Sequence, residues 1–186
     1  TTLFRSNYTR TVNRRDYAIA PPEPTLLDWV QAAGRKTYGI GKIRDIFAGQ
    51  GVGQYVKGAD ADLMAHLGDH VKNAEDGSLT FANFVEFDSL YGHRRNVSGY
   101  ARHLEWFDAA IGPVLAALEP DDLMLFTADH GNDPTWPGTD HTRERVPVIA
   151  KGPYSGQIGI RGFVDVAASV ARHLGVPSVG PGQSFI

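Results

Sequence analysis

The sequence has no cysteine among its 186 residues, which excludes disulfide bonds, thiolate nucleophiles and cysteine-based zinc sites. It also lacks any apolar run close to the roughly 20 residues that a membrane-spanning helix requires. A net charge of −3 leaves no basic excess of the kind that binds nucleic acid or an anionic membrane. We therefore expect neither a nucleic-acid nor a membrane partner, and any metal must be held by Asp, Glu and His. A protein without cysteine also fits a reducing cytoplasm.

Segments with helical periodicity alternate with short apolar runs along the chain. The stretch from Tyr100 to Leu118 has the strongest helical periodicity, and Pro113 predicts a kink or a break within it. The predicted helices span residues 25–33, 59–72, 99–118 and 165–174, and the predicted strands span residues 36–41, 78–88, 123–127 and 146–150. This alternation predicts an α/β fold with a mostly parallel sheet flanked by helices.

Five side chains that can bind a metal fall at or just after the carboxyl ends of predicted strands. Asp88 ends one strand and His93 follows it, whereas Asp129, His130 and His141 follow another. In an open α/β sheet the loops at these ends share one edge, so the five side chains can converge. A mixture of carboxylate and imidazole suits Mn²⁺, Zn²⁺ or Fe²⁺ better than Mg²⁺ or Ca²⁺. The spacing alone leaves a second interpretation open, in which the histidines are surface residues or local caps.

Other polar residues also have two interpretations each. Lys42 follows a predicted strand, where an α/β sheet places its ligands, and Arg10 lies in a basic segment that could hold an anionic group. The alternative for each is a solvated surface charge, which is the commoner role of a lysine such as Lys42. The turn context of Asn132, Asp133 and Asp140 favours turn formation or the orientation of ligands over direct contact with a metal.

Several stretches of the chain resemble bacterial phosphopentomutases, which belong to the alkaline phosphatase superfamily. They are NYTRTVNRRDYA at residues 7–18, GKIRDIFAGQGV at 41–52, VEFDSLYGHRR at 85–95, TADHGNDPTWPGTDHTRERVP at 127–147 and the closing GQSF at 182–185. The most specific part is the pairing of ADHGNDPT with GTDHTRE. The resemblance implies an alkaline-phosphatase-like core and the interconversion of (deoxy)ribose 1-phosphate and (deoxy)ribose 5-phosphate.

The resemblance also implies roles for individual residues. The positions that match ligands of one manganese ion are Asp88, His93 and His141, and those that match two ligands of a second are Asp129 and His130. The positions that match contacts to the phosphopentose are Arg10 and Lys42. In the family, a phosphorylated threonine exchanges the phosphoryl group with the sugar through a bisphosphate intermediate, beside two divalent metals.

The chain departs from the family pattern on its N-terminal side. The family has a strand with a further metal-binding Asp, a threonine that carries the phosphoryl group, and most of a cap domain; no segment here corresponds to these. We therefore expect an incomplete core over residues 21–186, a remnant of the cap over residues 7–20, and negligible mutase activity from this chain alone. Two alternatives stay open: another metal-dependent phosphatase or mutase of the superfamily, and a metal-binding fragment without activity.

The first six residues are predicted to come from a source other than the gene for the rest of the chain. One back-translation of TTLFRS, residues Thr1–Ser6, matches a common sequencing-library adapter. We therefore expect residues 1–6 to be a non-native leader, with a native extended peptide as the alternative.

Overall fold

The computed structural model describes residues 17–186. The helices and strands of this part are α1 (Leu26–Ala32), β1 (Thr37–Ile40), α2 (Ile43–Ile46), β2 (Gln54–Val56), α3 (Asp60–Val71), β3 (Leu79–Ala82), a π-helix (Phe87–Gly92), α4 (Val97–Ala116), β4 (Met124–Thr127), β5 (Val148–Lys151) and α5 (Phe163–Leu174). None of these helices is long and apolar enough to cross a membrane. The expected leader over residues 1–6, Arg10 and most of the expected cap remnant lie outside the described residues.

Three strands form a parallel sheet in the order β2-β1-β3. Side chains alternate between the two faces of a strand, and β1 shows what covers each face. Ile40 packs with Leu63 of α3. Thr37 lies on the opposite face, where its hydroxyl accepts a hydrogen bond of 2.9 Å from the Gln31 side chain of α1. The predicted α/β fold, with a parallel sheet flanked by helices, is therefore confirmed.

Two groups of buried apolar side chains hold the helices in place. The larger group joins β1, α3 and α4 and consists of Ile40, Leu63, Met64, Leu67, Ile111 and Val114. The smaller group joins α1 to α5 and consists of Val30, Ala171, Leu174 and Val176. A fully buried aliphatic side chain contributes about 1.5–3 kcal/mol relative to an exposed one. The larger group thus fixes α4, the helix that follows the π-helix, against the sheet.

β4 and β5 form a separate antiparallel pair, in which Thr127 lies opposite Val148. The pair packs against α4, because the Phe126 ring lies 6.4 Å from the Phe107 ring between centroids. The outer strand stays open to solvent, and Ile149 is 60% exposed. The apolar run at residues 146–150 predicted this strand but not its direction, since a short apolar run does not encode its partner. The expected parallel arrangement therefore does not extend to β4 and β5.

The strand predicted over residues 78–88 is correct only in its first half. β3 ends at Ala82, and Asp88 lies in the π-helix rather than at the end of a strand. Phe84 and Phe87 both contact Phe107 of α4, with ring centroids 5.2 Å and 5.8 Å from it. Their spacing of three residues is helical and does not match the two-residue period of a strand. Packing against α4 therefore decides the conformation of this segment.

Of the two outcomes predicted at Pro113, the break does not occur, since α4 continues to Ala116, and the kink stays a prediction. Pro113 lies on the exposed side of the helix. Its ring removes one hydrogen bond to the carbonyl of Ala109, and the buried residues Ile111 and Val114 on either side hold the helix together.

Candidate metal centre

The loop after β4 folds back on itself and brings two histidines together. Gly131 and Thr142 form an isolated antiparallel bridge, in which the Thr142 N–H donates to the Gly131 carbonyl over 2.9 Å. The Thr142 hydroxyl also accepts a hydrogen bond of 2.8 Å from the Asp133 N–H. As a result, the rings of His130 and His141 stack, with centroids 3.6 Å apart and planes 16° from parallel.

The π-helix supplies the other two converging side chains, Asp88 and His93. The His93 N–H donates to the Asp88 carbonyl at 2.9 Å, the five-residue bond that defines a π-helix. In an α-helix two residues five apart would point about 140° away from each other. In the wider π-turn they face the same side, and His93 Nε2 lies 3.3 Å from Asp88 Oδ2.

The two elements meet at their polar side chains. His141 Nε2 lies 3.2 Å from His93 Nε2 and 3.3 Å from Asp88 Oδ1. Asp88, His130 and His141 also present donor atoms that all lie within 4.8 Å of one another. The structure therefore brings together four of the five candidate ligands, which we call the His–Asp cluster (Asp88, His93, His130 and His141).

The spacing within this cluster fits a shared divalent cation. Donor atoms about 2.0–2.2 Å from one cation in a tetrahedral arrangement lie roughly 3.3–3.6 Å apart. The Nε2 atoms of His93 and His141 lie 3.2 Å apart, and each lies 3.3 Å from a different oxygen of Asp88, so the carboxylate would use both oxygens on a shared cation. The side chains of Asp88, His93 and His141 are 28%, 40% and 47% exposed, in that order, so a cation could enter from solvent. Carboxylate and imidazole donors together form a chemically suitable set for a transition-metal ion.

Hydrogen bonds fix the protonation pattern of two imidazole rings. His93 Nδ1 lies 2.5 Å from the Thr139 carbonyl, and His130 Nδ1 lies 3.1 Å from the Gly131 carbonyl. A carbonyl oxygen can only accept, so Nδ1 carries the hydrogen in both rings. In a neutral ring Nε2 then has a free lone pair, which is the state that binds a metal. For His93 that lone pair lies inside the cluster.

The remaining predicted site residues lie at the edge of the cluster or away from it. The side chain of Asp129 is 81% exposed, and its Oδ1 lies 3.6 Å from His130 Nε2. Lys42 lies just after β1, at the carboxyl end of the parallel sheet and at the start of α2. Arg10 is outside the described residues.

Polar neighbours orient the cluster. The Asn132 side-chain amide donates to Asp88 Oδ1 over 2.6 Å, which agrees with the prediction that it orients ligands. Asp133 forms a turn, and the hydroxyl and backbone N–H of Thr135 lower the pKa of its carboxyl below the usual value. The guanidinium of Arg95 lies between the π-helix and the loop, with bonds to both. Nothing in the sequence distinguishes Arg95 from its neighbour Arg94.

A second polar cluster lies in the interior, at the N-terminal side of the π-helix. His103 Nε2 lies 3.0 Å from Asp60 Oδ2, and Asp60 and Glu86 each bind the other's backbone N–H at 3.2 Å. Burial raises the pKa of the Asp60 carboxyl, with a smaller contribution of the same sign from the charge of Glu86, while His103 opposes both. These residues lie on separate elements, so the sequence did not predict their contact. They connect α3 and α4 to Glu86, the residue that precedes the π-helix.

Comparison with known proteins gives the family of the chain. A sequence model of the metalloenzyme superfamily matches residues 6–178. The chain is 54% identical over 186 residues to a phosphopentomutase from Rhizobium johnstonii, 54% over 190 residues to one from Rhizobium meliloti, and 52% over 185 residues to one from Agrobacterium fabrum. Each alignment covers 97% of this chain, but only 46%, 45% and 46% of the respective relatives. The chain thus spans about half the length of the curated relatives it matches.

Proposed function

We propose that this chain, which belongs to the metalloenzyme superfamily, contributes the divalent-metal centre of a phosphopentomutase. The reaction is the interconversion of (deoxy)ribose 1-phosphate and (deoxy)ribose 5-phosphate. The observation that carries the proposal is the convergence of Asp88, His93 and His141 at 3.2–3.3 Å. The 54% identity to phosphopentomutases supports the choice of substrate.

Within this proposal, Asp88, His93 and His141 hold one metal ion, and Asp129 and His130 are two ligands of a second. The exposed position of Asp129 leaves room around it for ligands from another segment. We place the remaining ligands and the phosphorylated threonine in the part of the relatives that this chain does not match. We propose Mn²⁺ as the cation, since the mixture of carboxylate and imidazole suits it better than Mg²⁺.

Each residue of the chain then has a defined task. Two bound cations would neutralise the charge on the phosphoryl oxygens during transfer. In their neutral forms His93 and His130 would present unprotonated Nε2 atoms, because backbone carbonyls would accept from their Nδ1–H groups. Lys42, at the carboxyl end of the sheet, and Arg10 would bind the phosphate of the sugar. The division into a cap remnant over residues 7–20 and a core portion over residues 21–186, and a cytoplasmic location, belong to the same proposal.

A chimera provides the test, because the chain matches only part of its relatives. Residues 7–186 replace the matching part of the Rhizobium johnstonii enzyme, and turnover of ribose 1-phosphate is followed by ³¹P NMR in the presence of Mn²⁺. We expect interconversion with ribose 5-phosphate. The same chimera with His141→Ala should be slower by at least about 100-fold, because a direct ligand matters more than a group that only orients one. His66→Ala, on the exposed side of α3, is the matched control.

The outcome also separates the alternatives. A folded chimera that acts on phosphoglycerate but not on phosphopentoses indicates another mutase or phosphatase of the superfamily. A folded chimera that binds Mn²⁺ and turns over neither substrate contradicts the proposal and supports metal binding without catalysis.

A further inference from the structure

We infer that Arg95 is a positioning residue that sets how Asp88 and His93 present their donor atoms to a cation. The inference deepens the proposed function and rests on it for the identity of the bound ion. Arg95 is half-buried and follows the π-helix, whereas its hydrogen-bond partners lie mainly on the loop after β4. Its guanidinium therefore connects the two elements that supply the His–Asp cluster.

The first connection runs through the backbone on either side of Thr139. Arg95 Nε donates to the Gly138 carbonyl, and Nη2 donates to the Asp140 carbonyl, both over 2.6 Å. The carbonyl between them, that of Thr139, accepts the Nδ1–H of His93. By holding both neighbours, Arg95 fixes the position of the Thr139 carbonyl. That carbonyl in turn keeps the hydrogen of His93 on Nδ1 and leaves Nε2 free.

The second connection runs through the Asn132 side chain. Arg95 Nη1 donates to Asn132 Oδ1 over 2.7 Å, and Asn132 Nδ2 donates to Asp88 Oδ1 over 2.6 Å. Arginine has only donors and a carboxylate has only acceptors, so the amide can have only this orientation between them. Without Arg95 only the carboxylate would select this orientation, and the amide oxygen would lose its donor. Arg95 thus sets the orientation of the group that holds Asp88.

The backbone of Arg95 has a conformation that is unfavourable for most residues. Its φ of +52° lies in the left-handed region, which residues other than glycine seldom adopt. The same guanidinium also binds the carbonyls of Gly92 and Asp133, over 3.1 Å and 2.9 Å. Lysine could not replace it, because a single ammonium group cannot reach all the acceptors that the planar, forked guanidinium binds.

The direct test reads the tautomer of His93 in the metal-free chain. We would record two-bond ¹H–¹⁵N spectra of the ¹⁵N-labelled chain at about pH 8, where imidazoles are neutral. The His93 signal is identified by its loss in His93→Ala, and we expect it to show the Nδ1–H form. In Arg95→Ala and Arg95→Gly we expect a shift toward Nε2–H, the form preferred by free histidine. Arg94→Ala is exposed and should leave the His93 signal unchanged.

A second readout is the affinity of the chain for Mn²⁺, measured by EPR of the free ion. We expect Arg95→Ala and Arg95→Gly to weaken binding by roughly 10- to 100-fold, as loss of groups that orient metal ligands does. Arg95→Lys should fall between these variants and the parent chain. Asn132→Ala should weaken Mn²⁺ binding but keep the His93 tautomer, because it removes only the second connection.

The outcomes separate the inference from the proposed function. An unchanged His93 tautomer in folded Arg95→Ala overturns the inference. The inference is also overturned if Arg95→Ala changes the tautomer and the affinity but Arg95→Gly retains both. The change in Arg95→Ala would then come from the strained backbone and not from the loss of the guanidinium. If the parent chain binds no Mn²⁺ but the tautomer responds as expected, the proposed function fails and the positioning role of Arg95 stands. Should Arg95→Ala not fold, Arg95→Lys takes its place, and an unchanged His93 tautomer together with unchanged Mn²⁺ affinity in folded Arg95→Lys overturns the inference.

Discussion

His130 and His141 lie face to face, with ring centroids 3.6 Å apart, although a long loop separates them in the sequence. The contact depends on the single backbone bridge between Gly131 and Thr142. His141 in turn contacts His93 of the π-helix. His141 is therefore the side chain shared by both halves of the His–Asp cluster.

This central position predicts that His141→Ala abolishes most divalent-cation binding. The variant removes a proposed direct ligand, so the loss of Mn²⁺ affinity should exceed the roughly 10- to 100-fold effect of groups that only orient ligands. Isothermal titration of the chain measures it, with the exposed His66→Ala as control. Equal affinities in the two variants would rule out His141 as a ligand.

Bound cation should stabilise the folded chain. A ligand at 100 times its dissociation constant raises the free energy of unfolding by about 2.7 kcal/mol when it binds only the folded state. We expect Mn²⁺ to raise the melting temperature and EDTA to reverse the effect, as followed by circular dichroism. In His141→Ala the shift should vanish. A shift of equal size in that variant would place the stabilising cation elsewhere.

The interior carboxyl of Asp60 predicts a specific dependence of stability on pH. Burial raises its folded-state pKa, so the folded chain binds this proton more tightly than the unfolded chain does. Its contribution to stability is complete below the unfolded pKa of about 3.9 and is lost as pH rises through the higher folded value. Relative to Asp60→Asn, the parent chain should therefore lose stability as pH rises above about 4. Urea unfolding measures this difference, and Asp62→Asn, exposed on the same helix, should show no such trend.

Asp28 predicts the opposite dependence. Burial tends to raise the pKa of its carboxyl, but hydrogen bonds from Thr25 and Gln50 outweigh burial and leave the pKa lowered. Its stabilising effect is present above about pH 4 and is lost as pH falls through the lowered folded value. Asp28→Ala should cost about 1–2 kcal/mol at neutral pH and progressively less in acid. Asp76→Ala, in an exposed turn, is the matched control, and a pH-independent cost would contradict the prediction.

Pro113 offers a gain in stability. Pro113→Ala should restore the missing hydrogen bond within α4 and raise the free energy of unfolding by up to about 3 kcal/mol. Gly112→Ala serves as comparison, since its new Cβ would contact nothing within 4 Å and should add at most about 1 kcal/mol. Thermal unfolding distinguishes the two, and a loss of stability in Pro113→Ala would show that the proline ring itself packs usefully.

Much of the fold was predictable because helical and strand periodicities alternate clearly along the chain. The sequence could not show that β4 and β5 run antiparallel, since apolar runs carry no direction. We also assigned residues 83–88 wrongly to a strand, although the three-residue spacing of Phe84 and Phe87 does not match the two-residue period of a strand. Both rings contact Phe107 of α4.

The site was predictable from residue type more than from position. Asp129 and His130 do follow a strand, as the rule for α/β sheets suggests, but Asp88 and His93 meet through a π-turn that has no sequence signature. Arg95 was unpredictable for a different reason. Most of its partners are backbone carbonyls, and these leave no pattern of side chains to detect.

The paired hydrogen bonds between Asp60 and Glu86 have a consequence for how the molecule tolerates change. Only Phe87 separates Glu86 from Asp88. The hydrogen bonds between Asp60 and Glu86 therefore connect the buried carboxylate of Asp60 to the backbone next to Asp88. A substitution at His103, which is buried and contacts Asp60 Oδ2, would remove a contact that holds Asp60 in place. The packing of α3 and α4 and the position of Asp88 are therefore coupled through these two hydrogen bonds.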